Sequence, residues 1–313
     1  MTNVQLNYIV AVDNYKNFAL AAEKCFVTQP TLSMQIQKLE EELGVLIFDR
    51  SKQPAKATQL GRKIIDQAKT VLDETTRINE IINEESSEIT GTFTLGVIPT
   101  IAPNLLPLFI ENFVKKNKKL ELVIEELQTD QIIKKLRIDE IDAGILMTPL
   151  KKKDIIEEVL FYEPFVGYVS KSHRLWKTKK INAEDLSCKD LFLLKEGHCF
   201  RDNVIQICDQ YGREENSKKL QFNFEGGSLE TLRKMVENNF GMTLLPYLSL
   251  KDLKNSEKVK LIRKFEEPIP FREISMVFRR VHMKKKIRSA LAEEIKSVIP
   301  KKYHTRPASF VVG

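Results

Sequence analysis

Long apolar runs are missing from this 313-residue chain, and so is any cysteine-rich framework. No segment approaches the roughly 18 uninterrupted apolar residues that a membrane span needs, which argues against any membrane partner. The stretch Met1 to Leu20 interleaves Asp13, Asn14, Lys16 and Asn17 with its apolar residues, so no secretory leader is expected and the chain is expected in the cytoplasm. Four cysteines in that reducing compartment are not a structural disulfide set. Internal repeats and low-complexity tracts are absent as well. An excess of one charge is lacking where it would be most telling. From Met1 to Leu60, six basic residues (Lys16, Lys24, Lys38, Arg50, Lys52, Lys56) face six acidic ones (Asp13, Glu23, Glu40, Glu41, Glu42, Asp49). The net charge of +7 therefore does not by itself announce a nucleic-acid partner. Its excess gathers late, with ten Lys or Arg between Arg279 and Gly313 against Glu293 and Glu294, and residues 301–313 read as a basic tail.

What is present is a chain long enough for two or three domains. Its first sixty residues read as short helices. Phe18, Ala21, Ala22 and Cys25 recur at i, i+3, i+4 and i+7, which places Cys25 in a core. After a break at Val27, Thr28 can cap a helix with Pro30 in its first turn and a buried stripe of Leu32, Ile36, Leu39 and Leu43, ended by Gly44. Two helices joined by a tight turn describe a helix-turn-helix. Gln29, Pro30, Thr31, Ser33, Met34, Gln37 and Lys38 lie on or beside the face opposite the stripe and are candidate base readers, Met34 for a thymine methyl. Glu40 to Glu42 would be held away from phosphates. A short hairpin or wing follows Gly44, and Arg50, Lys52 and Lys56 are candidate phosphate ligands.

From Thr58 to about Glu85, Ile64, Ala68, Val71, Thr75, Ile78 and Ile82 form a heptad seam that one helix cannot bury alone, so a homodimer is expected. Ser86 to Gly91 looks like a hinge. Beyond Thr92, strand-like runs at Phe93 to Ile98, Leu120 to Leu127 and Ala143 to Met147 alternate with helical stretches, the pattern of a parallel α/β sheet. A second set of strands, including one at 220–224, precedes a last strand near Ile274 and a closing helix. Two α/β lobes with a cleft between them account for this length.

The segment Gly197-His198-Cys199-Phe200-Arg201-Asp202, with Cys208 nine residues after Cys199, carries the chemistry. Helix-start amides and Arg201 would favour a Cys199 thiolate. Cys208, among Val204, Ile205 and Ile207, is expected to pack quietly, and Cys188 to be structural. On one helix, nine steps of about 1.5 Å separate the two cysteines by roughly 13 Å and put them on opposite faces. A disulfide needs Cα atoms within about 7 Å, so the pair closes only if the helix unwinds.

With Ala21-Ala22, Thr28 through Ile36, Leu39 through Gly44 and Phe48-Asp49-Arg50 in place, the N-terminal third closely resembles the LysR-type transcriptional regulators, and the resemblance extends over nearly all of Met1 to Pro300. It implies a winged helix-turn-helix over residues 1–58, a dimerising linker helix and hinge over 59–90, and a two-lobed effector domain like periplasmic binding proteins over 91–300. Lobe I is expected at about 91–161 plus 269–300 and lobe II at about 162–268. The Gly-His-Cys-Phe-Arg-Asp motif with its later cysteine is similar to the peroxide-sensing members of that family, as are Val97 through Pro103, Ser228 through Val236 and Gly241 through Pro246.

That similarity implies Cys199 as the peroxidatic cysteine and Cys208 as the resolving one, with Thr100, Thr129, His198 and Asp202 around the peroxide. Thr100 and Thr129 could equally cap helices. Phe200 stands where the motif usually has a smaller aliphatic residue. The implied partners are double-stranded promoter DNA, hydrogen peroxide as effector and further copies of the chain, a homodimer and beyond it a homotetramer. RNA polymerase and a thiol reductant of glutaredoxin or thioredoxin type are further partners to test. No cofactor and no enzymatic activity are expected. Competing readings are a regulator binding a small metabolite between its lobes, a thiol peroxidase or hydrolase, and a metal sensor using His198, Cys199, Cys208 and Cys188. The paired cysteines disfavour the first, residues 1–85 the second, and the spacing the third.

Overall fold

The computed structural model describes residues 1–49, 51, 54–85, 88–211, 224–251, 253, 256–281, 283–309 and 311–312. They divide into two compact units, Met1–Ser87 and Glu88–Gly313.

In the first unit, α1 (Asn3–Tyr15) starts at a Thr2–Gln5 capping box, α2 (Phe18–Lys24) is capped by Asn17, and α3 (Gln29–Leu43) is capped by Thr28. Gly44 closes α3 at φ 69°, a left-handed conformation that glycine adopts without steric cost. Leu32, Ile36 and Leu39 join the core with Ile9, Val12, Ala21 and Ala22. Leu43, expected in that stripe, is exposed, and Cys25 is only half-buried. Glu40, expected only to be held away from phosphates, has a structural partner. It is buried, and its Oε1 accepts the N–H groups of Ile47 and Phe48 at 2.7 and 3.1 Å, tying α3 to the wing strands β1 (Phe48–Asp49) and β2 (Lys56–Ala57). The helix α4 (Gln59–Glu85) docks by Ile65 and Ala68 on this core. Ile78 and Ile81 remain more than half exposed further along. Of the seam, Ile64, Ala68 and Val71 pack on their own domain, and Ile78 stays open. Ile82's side chain and Ser86–Ser87 of the expected hinge lie outside the described residues.

The second unit opens with β3 (Gly91–Val97), α5 (Ala102–Lys116), β4 (Leu120–Glu126), α6 (Thr129–Arg137), β5 (Ala143–Thr148) and β6 (Ile156–Val169). It continues through β7 (Lys180–Ile181), β8 (Leu193–Leu194), α7 (Cys199–Tyr211), β9 (Glu225–Gly226), α8 (Leu229–Glu237) and β10 (Met242–Pro246). It ends with α9 (Ser256–Val259), β11 (Ile262–Phe265), β12 (Phe271–Phe278), α10 (Lys285–Val298) and β13 (Val311–Val312). Strand order is β4-β3-β5-β12-β6-β11-β7, with β10 also on β6 and β13 also on β12.

The sheet is mixed rather than parallel. β3 pairs parallel with β4 and β5, but β12 runs antiparallel to both β5 and β6. One apolar cluster holds Phe93, Leu95, Phe109, Ile145, Met276 and Leu291, and a second holds Phe165, Tyr168, Ile181, Leu194, Val204 and Leu244. The 14-residue β6 serves both, with Phe161 in the first and Phe165 in the second. These are the two lobes, and the chain has the α/β architecture of a winged helix-turn-helix, a long linker helix and a two-lobed effector unit. The residues read as a basic tail instead return to the sheet: Val311 and Val312 pair with Phe271 and Arg272, and Val312 is fully buried. Of the strand expected at 220–224, all but Phe224 lies outside the described residues.

Candidate functional site

Loops after β3 and β4 carry residues 98–100 and 128–129 to the carboxyl edge of the parallel strands, where α/β sheets characteristically leave a ligand crevice. The turn into α7 meets them there. Gly197 adopts φ 90° and packs so close to Gln128 that a Cβ would stand 3.3 Å from its Oε1. The His198 carbonyl then accepts the Arg201 N–H at 2.8 Å and α7 begins. Together Thr100, Gln128, Thr129, Gly197, His198 and Cys199, floored by Ile98 and Pro99, enclose a cavity of about 10 Å³. That is room for about one water-sized molecule.

Four residues singled out in the sequence thus converge: Thr100, Thr129, His198 and Cys199. Neither threonine caps a helix. Ile101 occupies the cap position of α5 without a side-chain bond, and Gln128 caps α6 through a capping box with Gln131. The Thr129 hydroxyl is buried without a conventional hydrogen-bond partner and lies against the Cys199 thiol. Asp202, expected beside them, is solvent-exposed on the outer side of the first turn of α7 and lines no part of the cavity. A carboxylate at the start of a helix is stabilised by the helix dipole and needs no ligand to hold it there.

The electrostatic expectation for Cys199 also changes. Burial pushes its pKa above the ordinary 9.0, and the Asp202 carboxylate pushes the same way. The Thr129 hydroxyl and the Arg272 guanidinium oppose them. The helpful cation is therefore Arg272, not Arg201, whose Nη1 donates to the Leu194 carbonyl at 2.9 Å. Arg272 and Glu163 form a fully buried ion pair, Nη2 to Oε2 at 2.7 Å and Nε to Oε2 at 3.0 Å. Arg272 also donates from Nη1 to Thr100 Oγ1 at 3.1 Å and from Nη2 to the Thr100 carbonyl at 3.2 Å. Its guanidinium lies over the Phe200 ring at 5.3 Å, and that ring stacks on Phe165. Phe200, the departure noted in the motif, thus anchors the start of α7. Burial, and then Lys195, lower the pKa of His198, which keeps its ring neutral at physiological pH.

Along α7 the buried face is Phe200, Val204, Ile207 and Cys208, a stripe at i, i+4, i+7 and i+8. It lies in the second lobe's core, whereas Cys199 packs against the first lobe's cluster. Cys208 is buried beside Cys188, which stands half-buried at the start of a short 3-10 turn, Cys188–Asp190, packed on the same core. The interaction between the two thiols raises the pKa of Cys208 and lowers that of Cys188, with Arg201 adding to the latter. Among the described residues no three His, Cys, Asp or Glu side chains converge as a metal site.

Sequence reasoning missed Gln128, Glu163 and Arg272. Arg272 had a signal, since it shares a strand face with Ile274 and Met276 and a charge at such a position needs a buried partner. On α3, Gln29, Pro30, Met34, Gln37 and Lys38 are exposed, while Thr31 and Ser33 are half-buried, Thr31 Oγ1 lying 2.8 Å from Thr28 Oγ1. Lys56 is exposed on β2, and Arg50 and Lys52 lie outside the described residues.

Residues 4–62 match the family described as bacterial regulatory helix-turn-helix protein, lysR family, and residues 86–298 match the LysR substrate binding domain. A hydrogen peroxide-inducible genes activator of Haemophilus influenzae is 35% identical over 94% of this chain and 97% of its own length. The DNA-binding transcriptional dual regulator OxyR of Escherichia coli is 35% identical over 88% of each chain. A full-length OxyR variant from Pseudomonas aeruginosa superposes with a TM-score of 0.72 at 35% identity, covering 95% of this chain and 98% of that one. No described helix is long and apolar enough to cross a membrane.

Proposed function

Because this chain belongs to the LysR family of DNA-binding transcriptional regulators, we propose that it is a cytoplasmic, hydrogen peroxide-responsive regulator of oxidative-stress defence genes, switched by a reversible Cys199–Cys208 disulfide. The Cys199 thiolate attacks one peroxide oxygen, the O–O bond breaks, and the other oxygen leaves as hydroxide to be protonated. Cys199 is then a sulfenic acid. The Cys208 sulfur attacks it, releasing water and forming the disulfide. No cofactor enters either step. Thr100 and Thr129 would align the peroxide, with Gln128 beside them, and Arg272 would stabilise the charge that develops. His198, neutral, can pass a proton to the leaving oxygen. Asp202 would act only through charge.

The observation that carries this reading is the cavity at Cys199. Its small size and its threonine, glutamine and histidine lining suit a small oxygen species beside the thiol. In this reading residues 1–58 bind promoter DNA through Gln29, Pro30, Thr31, Ser33, Met34, Gln37 and Lys38, with Arg50 and Lys52 on the phosphates. Residues 59–90 dimerise through the open apolar face at Ile78 and Ile81, and residues 91–300 sense, as a homotetramer. RNA polymerase and a glutaredoxin- or thioredoxin-type reductant complete the cycle.

The test is peroxide titration of the reduced protein with peptide mapping of disulfides and footprinting on promoter DNA. Stoichiometric peroxide should join Cys199 to Cys208 and alter the footprint, and Cys199→Ser should bind DNA without responding. A full response in that variant would exclude the assignment.

A further inference from the structure

The thiol nearest Cys208 is not Cys199. Cys199 and Cys208 stand roughly 13 Å apart along α7, on opposite faces. Cys188 packs against the same second-lobe core that buries Cys208, near enough for each thiol to shift the other's ionisation. Its position is fixed by the 3-10 turn it opens: Ser187 Oγ accepts the Lys189 N–H at 3.3 Å, the Ser187 carbonyl accepts the Asp190 N–H at 3.2 Å, and Asp190 is held by Arg174 Nε at 3.0 Å. Joining Cys188 to Cys208 requires that two neighbouring sulfurs at one core close to the bond length of about 2.05 Å. α7 need not unwind, and Val204 and Ile207 stay in the second lobe's core.

We propose that Cys188 is a second partner of Cys208, and that a Cys188–Cys208 disulfide, formed by exchange with a low-molecular-weight disulfide, is a distinct oxidised state that locks α7 in its helical form. The steps balance. The half-buried Cys188 sulfur, as thiolate, attacks the small disulfide RSSR, its S–S bond breaks, and one RS⁻ leaves. Cys208 gives its proton to that thiolate and attacks the Cys188 sulfur of the mixed disulfide. The second RS⁻ leaves and takes up a proton, giving two RSH for one RSSR and one protein disulfide. Cys188 is the more exposed member of the pair, and its contact with Cys208 and the Arg201 charge both favour its thiolate, so it makes the first attack.

The lock has a consequence for the switch, and in this it rests on the reading of Cys199 and Cys208 given above. Once Cys208 is bonded to Cys188, a sulfenic acid at Cys199 has no resolving thiol. The protein would then answer peroxide but become deaf to it when small disulfides accumulate.

Trypsin separates the three cysteines onto peptides 181–189, 196–201 and 202–213, so each pairing gives its own cross-linked product. The full-length protein, reduced, is treated with glutathione disulfide, and in parallel with peroxide, as wild type and as Cys199→Ser and Cys188→Ser. Glutathione disulfide should link 181–189 to 202–213 in wild type and in Cys199→Ser alike, with amide protection across 199–211 retained. Prior treatment should also abolish the 196–201 to 202–213 product on later exposure of wild type to peroxide, and Cys188→Ser should keep that product. Glutathione left only as a mixed disulfide, or no 181–189 to 202–213 link, overturns the proposal. So does a link accompanied by lost protection in α7. Failure of peroxide to join 196–201 to 202–213 in untreated wild type would instead overturn the peroxide reading, and the Cys199→Ser arm does not depend on it.

Discussion

At its first turn α7 sets Cys199 among groups of the first lobe that carry charge or hydroxyls, Arg272, Thr100 and Thr129. About two and a half turns later it buries Cys208 in the apolar core of the second, beside Cys188. One helix thus holds two thiols in opposite settings. Cys199 is surrounded by groups that can stabilise an anion in a reaction, although burial keeps its resting pKa high. Cys208 is held protonated, and whatever thiolate its neighbourhood favours resides on Cys188. The lesson is that reactivity and resting ionisation are separate properties: the first depends on what is arranged around the charge as it forms, the second on how much water has been removed.

The largest way to break this contrast is at Arg272. Replacement by Met leaves Glu163 buried without its partner, a loss of about 3–5 kcal/mol, and removes the cation beside Cys199. Thermal unfolding should shift sharply downward. The double variant Arg272→Met, Glu163→Leu should recover much of the stability but not the rate of peroxide oxidation. Recovery of both would mean that Arg272 only braces the sheet.

Much of this is legible in the sequence. The capped α3, the heptad seam and the two cysteines nine residues apart stand out because each is a local pattern, a periodicity or a spacing. Arg272 and Glu163 are 109 residues apart and meet only because β6 and β12 pair antiparallel, a register that no local pattern encodes. The same limit hid the contact of Cys188 with Cys208, which depends on a 3-10 turn packing against α7. Asp202 shows the converse limit, since helix geometry turns it to the solvent side, where it reaches Cys199 only through charge.

A second test sharpens the contrast through pH. Because burial raises the Cys199 pKa above 9.0 while His198 is held low, the thiolate at Cys199 is a minor species at neutral pH. Its rate of oxidation by peroxide should rise about tenfold per unit between roughly pH 6.5 and 8.5. Alkylation of Cys188, whose pKa is lowered, should precede alkylation of Cys199 in the same range. For stability the sign is opposite at the two sites. The raised thiol at Cys199 contributes stability below its unfolded pKa that is lost as pH rises through the folded value. The lowered thiol at Cys188 contributes above its unfolded pKa and loses that contribution as pH falls through the folded one. A flat pH–rate profile for Cys199 would show that a thiolate is already present there.

The smallest expected effect is at the apolar end, and it asks whether oxidation releases that end at all. Ile207 is fully buried in the second lobe, so Ile207→Val should destabilise the reduced fold by about 0.5–1.5 kcal/mol. If closing Cys199 onto Cys208 unwinds α7 and frees Ile207, the oxidised form does not bear that loss. The disulfide then becomes relatively more stable, and its reduction potential should fall by about 10–30 mV in equilibration against a thiol buffer. The sign is the informative part, since a variant that weakens the protein should make its disulfide harder to reduce. An unchanged potential in a demonstrably destabilised variant would mean that Ile207 stays packed in both states and that the bond closes by moving the first turn of α7 alone.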